Sequence, residues 1–276
     1  MSPVPARHEL LFLVLGSGVL AALVWVKGMH GLTISAVCGM VAYVVLLWRT
    51  QSGDRMRLVG SYLVAWAYYA SSSTLVEALG IPLRHRELLE ADTAMFGSSP
   101  AISWQGRLAP WANEGLSFGY LSYHLYLHWV LLDALWRDPS WRSQISAPLF
   151  TAFGLGFVGY LLYPAAPPAA AFPDLFSEPL NGGLLTAWNQ QINSMMAARY
   201  DAFPSLHVLI TLTLLAWDWA HFRARFWAML APSALMMLAT LALRLHYAVD
   251  LLASLLLFLI LQICHERLVP RRSLGS

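Results

Sequence analysis

Eight apolar runs divide this chain, at 10–26, 32–48, 58–79, 115–136, 146–163, 205–220, 226–243 and 246–264. Each is about 17–22 residues long, enough for a helix to cross the hydrocarbon of a bilayer. Within the runs, polar residues do not alternate with apolar ones as they would on half-buried strands. The pattern predicts an all-α, polytopic integral membrane helix bundle of about eight transmembrane helices.

Two connections are longer than simple turns require. The segment 80–114 holds an amphipathic portion over 83–96 and the breakers Gly97, Pro100 and Pro110. It reads as a helix lying along the interface. The segment 163–203 is rich in Pro and Gly and closes in a helix-like stretch over 184–200. Long structured loops are commonly functional, and this one leads directly into a polar motif, so it is a candidate lid or substrate-recognition segment.

Composition agrees with the pattern. The chain is 58% hydrophobic and 12% charged, with a mean hydropathy of +0.56. That composition belongs to a membrane protein. A net charge of +2 implies no nucleic-acid partner. Lys27 is the single lysine beside sixteen arginines. If both termini are cytoplasmic, the inner segments carry eleven basic residues and the outer segments six. The positive-inside bias therefore predicts cytoplasmic termini and a periplasmic or extracytoplasmic face for the starts of the runs at 205 and 246. The first run follows Arg7-His8 and has no small-x-small cleavage site before Lys27, so it reads as a retained anchor. Cys38 and Cys264 fall near opposite faces and are expected to pack, not to pair.

The candidate chemistry sits at two of the run starts. Phe203-Pro204-Ser205-Leu206-His207-Val208 opens one, and His246-Tyr247-Ala248-Val249-Asp250 opens the other. Pro204 and Ser205 suit a helix start, with Ser205 as cap. His207 then falls in a first turn whose free N–H groups can hold an anion. His246 and Asp250 are four apart, so on a helix the carboxylate can hold the imidazole. Two histidines, a carboxylate and a helix N-terminus would make a phosphoryl-transfer site. Other polar groups read as structural. His124 and His128 are four apart within their run but lack a third metal ligand, and are expected to hydrogen-bond among Tyr120, Tyr123 and Tyr126. Trp66, Tyr68 and Tyr69 are expected to pack, and Glu77 to sit among headgroups.

Tyr163-Pro164-Ala165-Ala166-Pro167-Pro168, the serine motif and the His246–Asp250 motif, in this order, resemble the membrane type 2 phosphatidate phosphatase superfamily. The branch most similar is that of inositol phosphorylceramide synthase, to which Asp92-Thr93-Ala94-Met95-Phe96-Gly97 is also similar, more weakly. The resemblance spans roughly residues 58 to 267 and implies a six-helix core over 58–268. An N-terminal transmembrane hairpin over 1–57 and a cytoplasmic tail over 269–276 would flank it. It also implies a lipid phosphatase or phosphotransferase that needs no metal or other cofactor. His246 would be the nucleophile, forming a phosphohistidine. Asp250 would orient it, and His207 would protonate the leaving oxygen. Ser205 would contact the phosphate, and Tyr163, Pro167 and Pro168 would belong to a substrate loop. The wider superfamily's Lys-x6-Arg-Pro motif is absent here. Thr240 stands six residues before His246 where that superfamily has Arg, and Ala169 follows the Pro-Pro pair. Arg244 and Arg199 are the expected substitutes for the missing basic clamp.

The expected partners are a lipid phosphate and the bilayer. Hydrolysis and headgroup transfer share one intermediate and differ only in acceptor. A transporter or channel with a His246–Asp250 proton relay is the alternative from another class. It is disfavoured because no internal repeat is visible. A lipid-binding relative without turnover is the third.

Overall fold

The computed structural model describes residues 5–196 and 198–268, so the tail expected over 269–276 lies outside the described residues. Among them are twelve α-helices: α1 (Arg7–Lys27), α2 (Gly31–Arg49), α3 (Arg55–Leu79), α4 (His85–Phe96), α5 (Pro100–Ser103), α6 (Pro110–Trp136), α7 (Pro139–Leu162), α8 (Pro168–Ala171), α9 (Leu184–Met195), α10 (Leu206–His221), α11 (Arg223–Ala242) and α12 (Ala248–Leu268). No strand occurs among the described residues; Ala165 and Asp201 form one isolated bridge. Local sequence sets many of these boundaries. Proline opens α5, α6, α7 and α8, where its missing N–H costs nothing. Asp54 caps α3 by accepting from the amide of Met56 at 2.9 Å.

Each of the eight apolar runs forms a helix. Three of them, Arg7–Val26, Pro139–Leu162 and Arg223–Ala242, are long and apolar enough to cross a membrane by length and composition alone. The others are shorter or more polar. α3 and α6 are long, but Ser71, Ser72, Ser73, Tyr120, Tyr123, His124 and His128 lower their hydropathy. Several of these polar residues face the candidate site.

The helix at the centre is α10, which packs against α6, α7, α11 and α12. Leu209, Ile210, Leu214 and Asp218 on it are wholly buried. The N-terminal pair docks through α1 onto α3 and α7, with α2 against α1 and α3. Many large apolar side chains point outward. On α6, Leu125 is 69% exposed while the adjacent Tyr126 is 1% exposed. This inside-out arrangement fits a lipid-facing surface, where helix association depends on close packing and polar ties.

The bundle has two chemically different ends. At one, arginines are buried in ion pairs. Arg225 of α11 binds Asp218 of α10 and Asp133 of α6, and Arg57 of α3 binds Glu9 of α1. At the other end the short helices gather. There α4 lies against α12, α5 against α11, and α9 along α6. The amphipathic 83–96 portion is α4, and the 184–200 stretch is helical only as far as Met195.

Glu114 and its neighbours fasten α9. The Glu114 carboxylate accepts from the amides of Gly183, Leu185 and Thr186 and from the Thr186 hydroxyl, at 2.7–3.1 Å. A turn further on, the Asn189 amide donates to the Ser117 carbonyl, and Tyr120 donates to Asn193. The 163–203 segment is therefore pinned to α6 before it enters α10.

Candidate active site

Ser205, His207, His246 and Asp250 come together at the end of the bundle opposite the buried arginines. The serine motif enters that place because α7 is open at two glycines. A Cβ on Gly159 would clash with the Pro204 ring, and one on Gly156 with the Leu206 side chain. α10 begins at Leu206, with Ser205 as its N-cap residue. Pro204 thus precedes the helix instead of occupying its first turn, and the Ser205 side chain makes no cap bond. Its hydroxyl lies 3.2 Å from Nε2 of His246. His207 does fall in the first turn. The first α10 amide that bonds back to the motif is Leu209, which donates to the Ser205 carbonyl at 3.0 Å. The amides of Leu206, His207 and Val208 are the helix-end donors that a turn leaves unpaired.

His246 is not on a helix, contrary to the expectation from its spacing to Asp250. α12 begins at Ala248, and His246 lies in the turn after α11. Its amide and that of Leu245 both donate to the carbonyl of Thr240, at 3.0 and 2.9 Å. Thr240, the departure noted six residues before His246, thus holds the histidine through its backbone. The His246 Nδ1–H donates to the Ala202 carbonyl at 2.8 Å, with Asp250 Oδ2 further off at 3.4 Å. A carbonyl can only accept, so Nδ1 carries a proton, and in the neutral ring the lone pair is then on Nε2. Asp250 accepts from the Tyr247 amide at 2.8 Å, closing the first turn of α12. Ser254 ties that helix to the serine motif by donating to the Ser205 carbonyl at 3.0 Å.

The free amides of α12 are already taken. Asp92 of α4, fully buried, accepts from Ala248 and Val249 at 3.1 and 2.9 Å, and from the Ser99 hydroxyl at 2.6 Å. A carboxylate from a separate helix therefore caps α12. Of the helix starts of α10 and α12, that of α10 is the one with donors to spare.

His207 is enclosed by rings. Tyr123 lies 4.7 Å, Tyr120 4.9 Å, His246 5.7 Å and His124 6.3 Å from it, centre to centre. A cleft lined by Tyr62, Trp66, Tyr69, Tyr123 and His124 opens beside it. In that cleft His128 donates from Nδ1 to the His124 carbonyl, and its Nε2 lies 2.6 Å from the Tyr62 hydroxyl. So His128 bonds to Tyr62 and to its own helix, not within the expected tyrosine trio.

Sequence reasoning missed Asp201. Tyr69 donates to its Oδ2 at 3.0 Å, and its main chain pairs with Ala165. Burial pushes the Asp201 carboxyl above the usual carboxylate range, while nearby His246 and the Tyr69 bond draw it back. One signal was available: no other acidic residue lies between Glu178 and Asp218. Tyr69, read as packing, is its partner.

The proline segment braces the same place. Tyr163 packs on Phe203 at 5.1 Å, and the Ala202 amide donates to the Ala165 carbonyl. Pro167 and Pro168 accept from the amides of Ala170, Ala171 and Phe172 in the turn of α8. Neither expected clamp arginine bonds to Ser205, His207 or His246. Arg199 is 74% exposed, 3.9 Å from Glu77. Arg244 donates to the Glu178 carbonyl at 2.7 Å, and its guanidinium lies over the Phe176 ring.

An all-α, multi-pass membrane protein is thus defined, with two histidines and two carboxylates gathered at one end of its bundle. A family model described as the PAP2 superfamily matches residues 86–264, and the chain belongs to that superfamily. The match runs from α4 into α12 and includes the serine and His246–Asp250 motifs. No curated protein matches the chain, and no solved structure does.

Proposed function

We propose that the protein is a lipid phosphatase or headgroup phosphotransferase that works through a phosphohistidine on His246. The observation that carries this reading is the state of His246. Its Nδ1 proton is engaged by Ala202, and its Nε2 lone pair faces Ser205 at the open start of α10. A neutral imidazole so presented is a competent nucleophile. The substrate phosphate would take the amides of Leu206, His207 and Val208 and the Ser205 hydroxyl, which turns from Nε2 to a phosphate oxygen. Nε2 then attacks phosphorus as the bond to the leaving oxygen breaks, and His207 gives that oxygen a proton. Asp250 and the Ala202 carbonyl steady the positive charge that grows on the His246 ring. Water or an alcohol next attacks phosphorus as the P–N bond breaks and gives its proton to His207, restoring both histidines.

The cleft beside His207 supports a lipid substrate, since Trp66 at its edge is exposed on the bundle's outer surface. The arginine distribution supports cytoplasmic termini and a reaction on the opposite face. The eight helical runs support eight crossings, with α1 and α2 as a hairpin beside a core that begins at α3. The branch resembling inositol phosphorylceramide synthase belongs to this same reading.

The test is product analysis on purified protein in detergent. Incubation with phosphatidate, polyprenyl diphosphate, phosphatidylinositol and ceramide, followed by mass spectrometry, should reveal phosphate release or headgroup transfer. Chelator-treated protein should keep its rate, because histidine supplies the chemistry. Activity lost to EDTA and restored by Mg²⁺ would refute the mechanism.

A further inference from the structure

A second cavity lies at the histidine end of the bundle, with a volume of about 400 Å³. That is within the roughly 300–1,000 Å³ of small-molecule pockets. Its walls include Trp104, Gln105, Arg107, Asn113, Glu178 and Arg244, and do not include His207 or His246. Asn113 is two helical turns from Tyr120 on α6, about 10 Å along the axis, and Tyr120 packs on His207. The cavity is therefore displaced from the reacting histidines toward the end of α6.

Two of its side chains are buried and only partly satisfied. Arg244 and Asn113 are 8% and 4% exposed. One end of each is fixed: Arg244 Nη2 donates to the Glu178 carbonyl at 2.7 Å, and Asn113 Nδ2 donates to the Asn181 carbonyl at 2.6 Å. The other end of each, Arg244 Nε and Asn113 Oδ1, has no partner among the described residues. Buried polar atoms are almost always paired. One of these is a donor and the other an acceptor, both held by their fixed ends. A hydroxyl group can satisfy either. Trp104 adds an aromatic wall of the kind that packs on the apolar face of a sugar ring. Arg107, Arg244 and Glu178 leave little excess charge. Arg244 gives Nη2 to a carbonyl and its guanidinium face to the Phe176 ring, which leaves Nε as a single unpaired donor among the described residues.

The backbone points the same way. Arg244 has φ 65° and is the one non-glycine residue with positive φ among those described. Such strain persists where the surroundings over-determine it, and it clusters at functional sites. The turn that holds Arg244 in this conformation also delivers the His246 amide to Thr240. One turn thus serves both the cavity and the nucleophile.

We infer that this cavity binds a small polyhydroxylated molecule, a sugar or sugar-like headgroup, through Arg244, Asn113 and Trp104. Its role as an acceptor or headgroup subsite rests on the reaction proposed above; binding itself does not.

The experiment measures binding by ligand-observed NMR on the full-length protein in detergent, as wild type and as His207→Ala, which should not turn over. The probes are glucose, mannose and myo-inositol, with inorganic phosphate as a separate arm. At least one polyol should bind both proteins equally. Arg244→Gln and Asn113→Ala should each weaken that binding about tenfold, the effect of one lost buried hydrogen bond. Arg107→Gln, on an exposed residue of the rim, tests the cavity without touching the buried turn and should weaken binding at least twofold. Melting temperatures in the same detergent identify a variant that has merely failed to fold. Polyol binding without lipid turnover would leave the inference standing and defeat the proposed reaction. No polyol binding to wild type would overturn it. So would phosphate binding alone, or polyol binding indifferent to all three substitutions.

Discussion

At the arginine end of the bundle, Arg225 and Arg57 are buried against opposite charges, and Arg142 is buried against backbone carbonyls. Arg225 grips Asp218 with two bonds of 2.6 and 2.8 Å and reaches Asp133 at 3.0 Å, while Tyr126 donates to Asp218 at 2.7 Å. Arg57 binds Glu9 and also donates to the carbonyls of Leu47 and Thr50. At the histidine end the carboxylates of Asp92, Asp201 and Asp250 have no guanidinium partner among the described residues, and the ion pairs Arg84–Glu87 and Arg199–Glu77 lie outside the site. Asp250 leaves Oδ1 without a partner among the described residues, and Asp201 is held by Tyr69. Yet both ends are equally sheltered, with Asp218 and Asp250 each at 0% exposure. Shelter makes an unpaired polar group costly. A network that is fully paired holds helices together; one left short of partners is kept for something that arrives.

The sharpest way to break that comparison is to remove one group from each end. His246→Ala should lower turnover by on the order of 10⁴ or more, as loss of a covalent nucleophile does. It should also abolish the trapped phosphoenzyme, while the melting temperature stays near that of wild type. A phosphoryl group still bound to the variant protein would show that another residue is the nucleophile. Asp218→Ala should behave in the opposite way. Breaking a buried pair leaves an uncompensated charge and costs about 3–5 kcal/mol. The denaturation midpoint should fall, while the rate per folded molecule stays within about twofold. A large rate loss at unchanged stability would mean that the two ends are not divided as argued.

Much of this division was legible in the sequence, because apolar runs and breakers act locally. The eight runs became helices, Pro100 and Pro110 opened α5 and α6, and Ser205, His207, His246 and Asp250 converged. What was not legible depends on tertiary contact. A spacing of four between His246 and Asp250 suggests a shared helix face. The turn after α11 achieves the same proximity with His246 outside the helix. Pro204 looked like a first-turn residue, but the close approach to Gly159 places it before the helix. Asp92 belonged to a weakly similar stretch, and nothing local says that it would cap a helix more than 150 residues later. Asp201 and Tyr69 are also far apart in sequence and meet only in the fold.

Asp92 sharpens the comparison, since it acts on the site without facing it. Asp92→Ala removes the acceptor of two α12 amides and should cost about 1–2 kcal/mol, the scale of a lost helix cap. Because α12 carries Asp250, turnover should also fall, by about tenfold, with an altered pH–rate profile. Asp92→Asn keeps one acceptor oxygen and should restore part of the rate. A variant that loses stability but keeps the wild-type pH–rate profile would reduce Asp92 to a structural cap.

The smallest effect expected is at Glu114, a charged group at the histidine end that is well supplied with partners. Hydrogen bonds from the backbone of Leu185, together with Thr186 and Gly183, hold its carboxyl below the usual glutamate range, against a smaller opposing effect of desolvation. A carboxyl whose pKa is depressed by folding favours the folded arrangement above its unfolded pKa, near 4.3, and loses that contribution as pH falls through its folded value. The tie between Glu114 and the start of α9 should therefore be complete at pH 7 and loosen as pH falls through that lowered folded value. Glu114→Gln replaces one acceptor oxygen with a donor that faces other donors, and should loosen the tie at every pH. Hydrogen exchange measured by mass spectrometry, corrected for the intrinsic pH dependence, reads the amides of Gly183, Leu185 and Thr186 directly. Their exchange should rise several-fold in the variant at pH 7, with no further step on acidification, whereas the wild type should show the step. Protection in the wild type at pH 7 that is no higher than in the variant would mean that α9 is held by its contacts with Ser117 and Tyr120 instead. The 163–203 segment would then be fixed in place, not a lid hinged at one carboxylate.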